Sequence, residues 1–166
     1  AQLAEADPAS AVSRLASVPA GESRDYALRA LADGWAHSDL PAALAWAQKL
    51  PSTERAPAME AVLAALVSTD PMRAIELAQD SLTGAAFDRT LLAALQTLTR
   101  TDPKAAANFI SKLAPGEVQT QASYAVARAL AAETPAGALA WVRTLPAGEL
   151  QGQLLNNVLD LWAAKN

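Results

Sequence analysis

The sequence predicts an all-α protein, a solenoid of about five two-helix repeats running through residues 1–166 as a single helical-repeat domain. Three observations carry this expectation. A capping residue recurs near a Pro, at Asp7, Asp39, Asp70, Asp102 and Thr134, in steps of 32, 31, 32 and 32. A second column, Arg14, Trp46, Leu77, Phe109 and Trp141, repeats the same steps. A third, Trp35, Leu66, Leu98, Leu130 and Trp162, steps by 31, 32, 32 and 32, so one residue is missing between Leu50 and Leu66. That deletion falls in a loop, where LPSTER (50–55) stands against VPAGESR (18–24). A fixed period of this length marks units that bury their apolar faces by stacking on their neighbours. The repeats expected are 7–38, 39–69, 70–101, 102–133 and 134–166.

Residues 1–6 come first and resemble the tail of a preceding helix or an N-terminal lid, because Leu3 stands before Asp7 as Trp35 stands before Asp39. Each repeat then opens a first helix. An Asp or Thr oxygen caps free amides and Pro suits the first helical turn. The small column Ala11, Ala43, Ala74, Ala106 and Ala138 lies on one face with Leu15, Ala47, Ala78, Ile110 and Val142. The helix stops at VPAG, LPST, LTGA, LAPG or LPAG, where Pro and Gly break the ladder. The second helix carries Leu31, Val62, Ala94, Val126 and Val158, then Ala32, Leu63, Leu95, Ala127 and Leu159, with Glu22, Glu54, Glu117 and Glu149 near its first turn. Pro57 suits a first turn but would break a helix interior.

The ends depart from the pattern. Arg14 puts a polar group in a column otherwise apolar, as a first unit with no neighbour requires. Asn157 replaces Ala30, Ala61, Ala93 and Ala125, which suits a C-terminal cap, whereas Trp162 in the last helix calls for a further neighbour or a partner. Self-association through the array ends, a dimer through Trp162 in particular, is expected. Trp35, Trp46, Phe109, Trp141 and Trp162 are expected to pack in the core or between repeats.

The net charge is −4, which lacks the basic balance of a nucleic-acid binder. Residues 1–83 hold 6 basic and 11 acidic side chains and residues 84–166 hold 7 and 6, so the N-terminal half is mildly acidic. The absence of Cys excludes disulfides and Cys-based metal sites and fits either redox compartment. No apolar run has the length to span a bilayer. An Ala-Gln start fits either a fragment edge or signal removal, so the compartment is cytoplasmic or, in the second case, periplasmic or secreted.

No catalytic constellation stands out, and neither an enzyme nor a cofactor is expected. His37, the single histidine, is read as a helix C-terminal group facing free carbonyls, and its neighbours Ser38 and Asp39 make no triad by adjacency alone. The Asp series is read as helix caps and not as a Ca²⁺ ladder. No phosphate loop, zinc-protease helix motif or nucleophile elbow occurs.

In four repeats a Pro stands six residues before Arg14, Leu77, Phe109 or Trp141. In this the chain resembles the tetratricopeptide-like group of two-helix solenoids, although its period is near 32 and its first helix is shorter. The resemblance implies a right-handed α-α superhelix of antiparallel helix pairs whose inner groove binds a protein or peptide segment, and it carries over no specific ligand residue. HEAT-like packing is the alternative architecture. In such solenoids the concave face comes from the first helices, here the stripe Ser13, Ala45, Glu76, Asn108, Ala140; Ala16, Gln48, Gln79, Ser111, Arg143; and Ser17, Lys49, Asp80, Lys112, Thr144. The candidate partner-binding residues are therefore Gln48, Lys49, Glu76, Gln79, Asp80, Asn108, Ser111, Lys112 and Arg143, with Lys49, Lys112 and Arg143 suited to an acidic partner. The plain alternative is an ordinary solvated helix face. A protein- or peptide-binding scaffold is the expected function, with no nucleic-acid or membrane partner. Two alternatives are a non-catalytic superhelical accessory domain of a larger, for instance cell-envelope, enzyme and a nucleic-acid-binding helical repeat.

Overall fold

The computed structural model describes residues 12, 13, 15 and 17–164, and among them it contains nine helices and no strand. The chain is all-α. In order the helices are α1 (Glu22–Ser38), α2 (Leu40–Lys49), α3 (Ser52–Val67), α4 (Pro71–Ser81), α5 (Gly84–Thr101), α6 (Pro103–Ile110), α7 (Glu117–Glu133), α8 (Pro135–Val142) and α9 (Glu149–Ala163). The expectations for residues 1–6, Asp7, Ala11, Arg14 and Ala16 lie outside the described residues. No helix among those described is long and apolar enough to cross a membrane.

The short helices begin where Asp meets Pro. The Asp39, Asp70 and Asp102 carboxylates accept from the backbone N–H of Ala42 (3.0 Å), Arg73 (3.0 Å) and Ala105 (2.9 Å), each satisfying one free amide of the helix it precedes. Thr134 precedes α8 without such a bond. The longer helices start differently. Three follow a glycine, Gly21, Gly116 or Gly148, and α3 follows Pro51, with Glu22, Glu54, Glu117 or Glu149 in the first turn. Gly21 has φ 127, a conformation that a side chain would strain.

A side-chain bond closes the connection between short and long helices in four places. Arg24 Nη1 donates to the carbonyls of Val18 (2.8 Å) and Leu15 (3.0 Å), and Arg55 donates to that of Leu50. Gln119 Nε2 donates to the Leu113 carbonyl (3.1 Å) and Gln151 Nε2 to that of Leu145 (3.0 Å). Carbonyls at the end of a helix have no partner within it, so these donors stand in for a missing turn. In the remaining connection, before α5, the corresponding residue is Phe87, which has no polar atom to donate.

Pro57 lies inside α3, five residues past its start, and is buried. Its ring denies the Thr53 carbonyl a helical partner, a cost offset by the neighbours Ala58, Met59, Val62 and Leu63, all 0% exposed.

The chain packs as two compact units, up to Ala94 and from Leu95 onward, with the division inside α5. In the first, α3 packs on α1, α2 and α4, and α1 also packs on α2. Leu15, Leu28 and Leu31 form a buried cluster flanked by half-buried Trp46 and Leu50. The Trp35 and Trp46 rings stand 5.6 Å apart at 38°, so these two aromatics pack on each other at the cluster's edge. Arg24 pairs with Glu54 at 2.9 Å, and Glu60 is held between Arg89 at 2.7 Å and Arg29 at 3.6 Å.

In the second unit, α7 packs on α6, α8 and α9, and α8 also packs on α9. Ala106, Ile110, Val126, Ala127, Ala138, Val142, Leu154 and Val158 are fully enclosed. Alanine at the closest contacts lets helix axes approach, so the four described members of the small column, Ala43, Ala74, Ala106 and Ala138, are all 0% exposed. Ser123 is equally buried, and its hydroxyl has no hydrogen-bond partner.

Candidate functional site

The nine expected surface residues separate by helix length. Gln48 and Lys49 lie on α2, Glu76, Gln79 and Asp80 on α4, and Asn108 on α6, all of them exposed. Because α6 and α8 end at Ile110 and Val142, Ser111, Lys112 and Arg143 fall just past the helices instead of on them. Ser111 is half-buried, whereas Lys112 and Arg143 are exposed.

Two clefts open beside these helices. In the first unit a cleft of about 330 Å³ is lined by Leu40, Pro41, Leu44, Ala45 and Gln48 of α2, by Leu66 of α3, and by Asp70 and Arg73 at the start of α4. In the second unit a cleft of about 580 Å³ is lined by Lys104, Ala107 and Asn108 of α6 and by Ser111. Its other wall is Leu130 and Glu133 of α7 with Thr134, Gly137, Trp141 and Thr144.

The two linings correspond position by position. Pro41, Leu44, Ala45 and Gln48 match Lys104, Ala107, Asn108 and Ser111, each 63 residues on. Leu66, Asp70 and Arg73 match Leu130, Thr134 and Gly137, each 64 residues on. Each cleft is therefore cut between one short helix and the start of the next, with the last turn of the intervening long helix as its floor.

Of the expected residues, Gln48, Asn108 and Ser111 line a cleft, while Lys49, Glu76, Gln79, Asp80, Lys112 and Arg143 do not. The reading of one helix stripe overlooked the facing wall. Arg73, Lys104, Glu133 and Trp141 were missed for that reason, although their places beside the capping residue were legible once two successive short helices are set side by side.

The clefts differ in character. The first is mainly apolar, with Leu40, Pro41, Leu44 and Leu66, and its basic group is Arg73. The second is polar, with Lys104, Asn108 and Glu133, and has an aromatic wall in Trp141. The Trp141 indole is fixed, since Nε1 donates to the Ala107 carbonyl at 3.1 Å and to Ser111 Oγ at 3.2 Å. Neither Arg73 nor Lys104 forms an ion pair with the described residues. Both cations are thus available to a ligand at the mouth of a cleft.

The residues that carry catalytic chemistry elsewhere are engaged locally. His37 Nδ1 donates to the Asp33 carbonyl at 2.7 Å, Ser38 Oγ to the Trp35 carbonyl at 3.0 Å, and Asp39 caps α2. Each serves the helix end on which it sits, so the three do not converge. No group of three His, Asp or Glu side chains suited to a metal ion occurs among the described residues. Comparison of the chain with family models, with curated proteins and with solved structures gives no match.

Proposed function

We propose that the chain is a non-catalytic scaffold whose helix pairs are units of an α-solenoid and whose short helices hold an extended segment of another protein. The observation that carries this reading is the recurrence of one cleft at matching positions in both units. A single cleft is common on a helical protein, but the same lining positions used twice give a segment two similar seats. Apolar walls at Leu40, Leu44 and Trp141 accept side chains, and Gln48, Asn108 and Ser111 offer donors and acceptors to a peptide backbone. Lys49, Lys112 and Arg143 stand outside the clefts, where they favour an acidic partner through its approach.

The test uses photo-crosslinking residues at Gln48 and at Ser111 in extract of the source organism. One protein captured from both positions, and lost when Ala45→Trp and Asn108→Trp fill the clefts, is the expected result. Capture that persists in the filled variant but disappears on Lys49→Glu, Lys112→Glu, Arg143→Glu would move the site to the exposed charged stripe. No capture from either position would remove the scaffold reading of these helices.

A further inference from the structure

The last described helix leaves open a stripe that the other long helices keep covered. Ala32, Leu63, Leu95 and Ala127 are all 0% exposed, whereas Leu159 at the corresponding place is 46% exposed. Three residues further on, Leu66, Leu98 and Leu130 are 6%, 5% and 6% exposed, and Trp162 is 43% exposed. Leu155, Leu159 and Trp162 fall on one face of α9 at helical spacing, and Gly152 extends the same stripe by one turn.

Gly152 has no role within its own chain. It lies inside a helix, where glycine is unfavourable, and nothing stands within 4 Å of the place its Cβ would occupy. An outward-facing gap therefore sits at one end of the stripe and an outward-facing indole at the other.

We propose that α9 is the contact face of a homodimer, packing antiparallel on α9 of a second copy about a two-fold axis near Asn157. The spacing is self-complementary: turning the helix end for end about that point sets Trp162 over the partner's Gly152 and Leu159 against the partner's Leu155. The large residue enters the gap left by the small one at both ends. An isologous contact requires that match of a surface with itself. The stripe is uncharged, and Glu149 and Asp160 are the only charged residues of the helix, so nothing along it selects a different partner by charge. The contact also continues the packing by which α7 covers α9 within the chain.

Sedimentation equilibrium of the intact chain over a wide concentration range tests the proposal, beside Gly152→Leu and Leu159→Lys. The expected result is a dimer whose dissociation constant rises at least about tenfold in both variants. Gly152→Leu is the more telling of the two, because it adds a good helix former in open space and leaves the monomer fold intact, as helicity and unfolding will confirm. The chain lacks cysteine, so Leu155→Cys and Leu159→Cys copies can be mixed and oxidised. Disulfides joining 155 to 159 support the antiparallel register. A wild-type monomer at every concentration, a dimer indifferent to both substitutions, or disulfides joining only like positions would each overturn it.

Discussion

The Arg55 guanidinium donates to the Leu50 carbonyl through Nε at 3.2 Å and Nη2 at 3.0 Å, across a connection one residue shorter than the one Arg24 spans to reach Val18. The long side chain absorbs the missing residue and keeps the carbonyl satisfied. Glutamine does the same work in the second unit, where Gln151 reaches the carbonyls of Val142, Arg143 and Leu145. Gln151→Ala should cost about 1–2 kcal/mol, because it leaves the last carbonyls of α8 without this donor. Gln151→Glu should cost at least as much, since a carboxylate cannot donate. Urea unfolding of both variants checks this.

Ser123 carries the opposite expectation. Its hydroxyl is fully buried without a hydrogen-bond partner, at a position matched by Leu28, Met59 and Leu91 in the preceding long helices. Ser123→Ala should raise stability by about 1 kcal/mol by removing the desolvated group and improving helix propensity. The urea midpoint should rise with an unchanged slope.

The caps predict an asymmetric pair. Asp70→Ala removes the acceptor of the Arg73 amide and should cost about 1 kcal/mol. Thr134→Asp should gain a similar amount, because α8 begins without a side-chain cap and Gly137 stands where the other caps find their donor. Thermal unfolding of both variants is the measurement, and a loss of stability in Thr134→Asp would contradict it.

Glu60 between Arg29 and Arg89 should matter little. The two arginine side chains are 50% and 61% exposed, so solvent screens both pairs. A double-mutant cycle on Glu60 and Arg89 should give a coupling of about 0.5 kcal/mol that shrinks at high salt.

Much of the secondary structure was legible because its signals are local. Asp39, Asp70 and Asp102 act on amides three residues away, and Gly21, Gly116 and Gly148 precede the long helices. Less was legible of the clefts. Gln48, Asn108 and Ser111 were found from one helix, but Arg73, Lys104 and Trp141 enter through the pairing of two short helices about thirty residues apart. The expectation that the aromatics are packed holds for Trp35 and Trp46, while Trp162 is 43% exposed.

The sequence by itself determined the all-α character, the alternation of short and long helices and the caps that begin the short ones, since each follows from residues within one or two turns. Tertiary structure alone decided which side chains share a cleft, where the second-helix donors reach and which stripe of α9 is left open. Those depend on contacts between segments far apart in the chain, and the spacing of residues along one helix holds no information about which neighbour covers it.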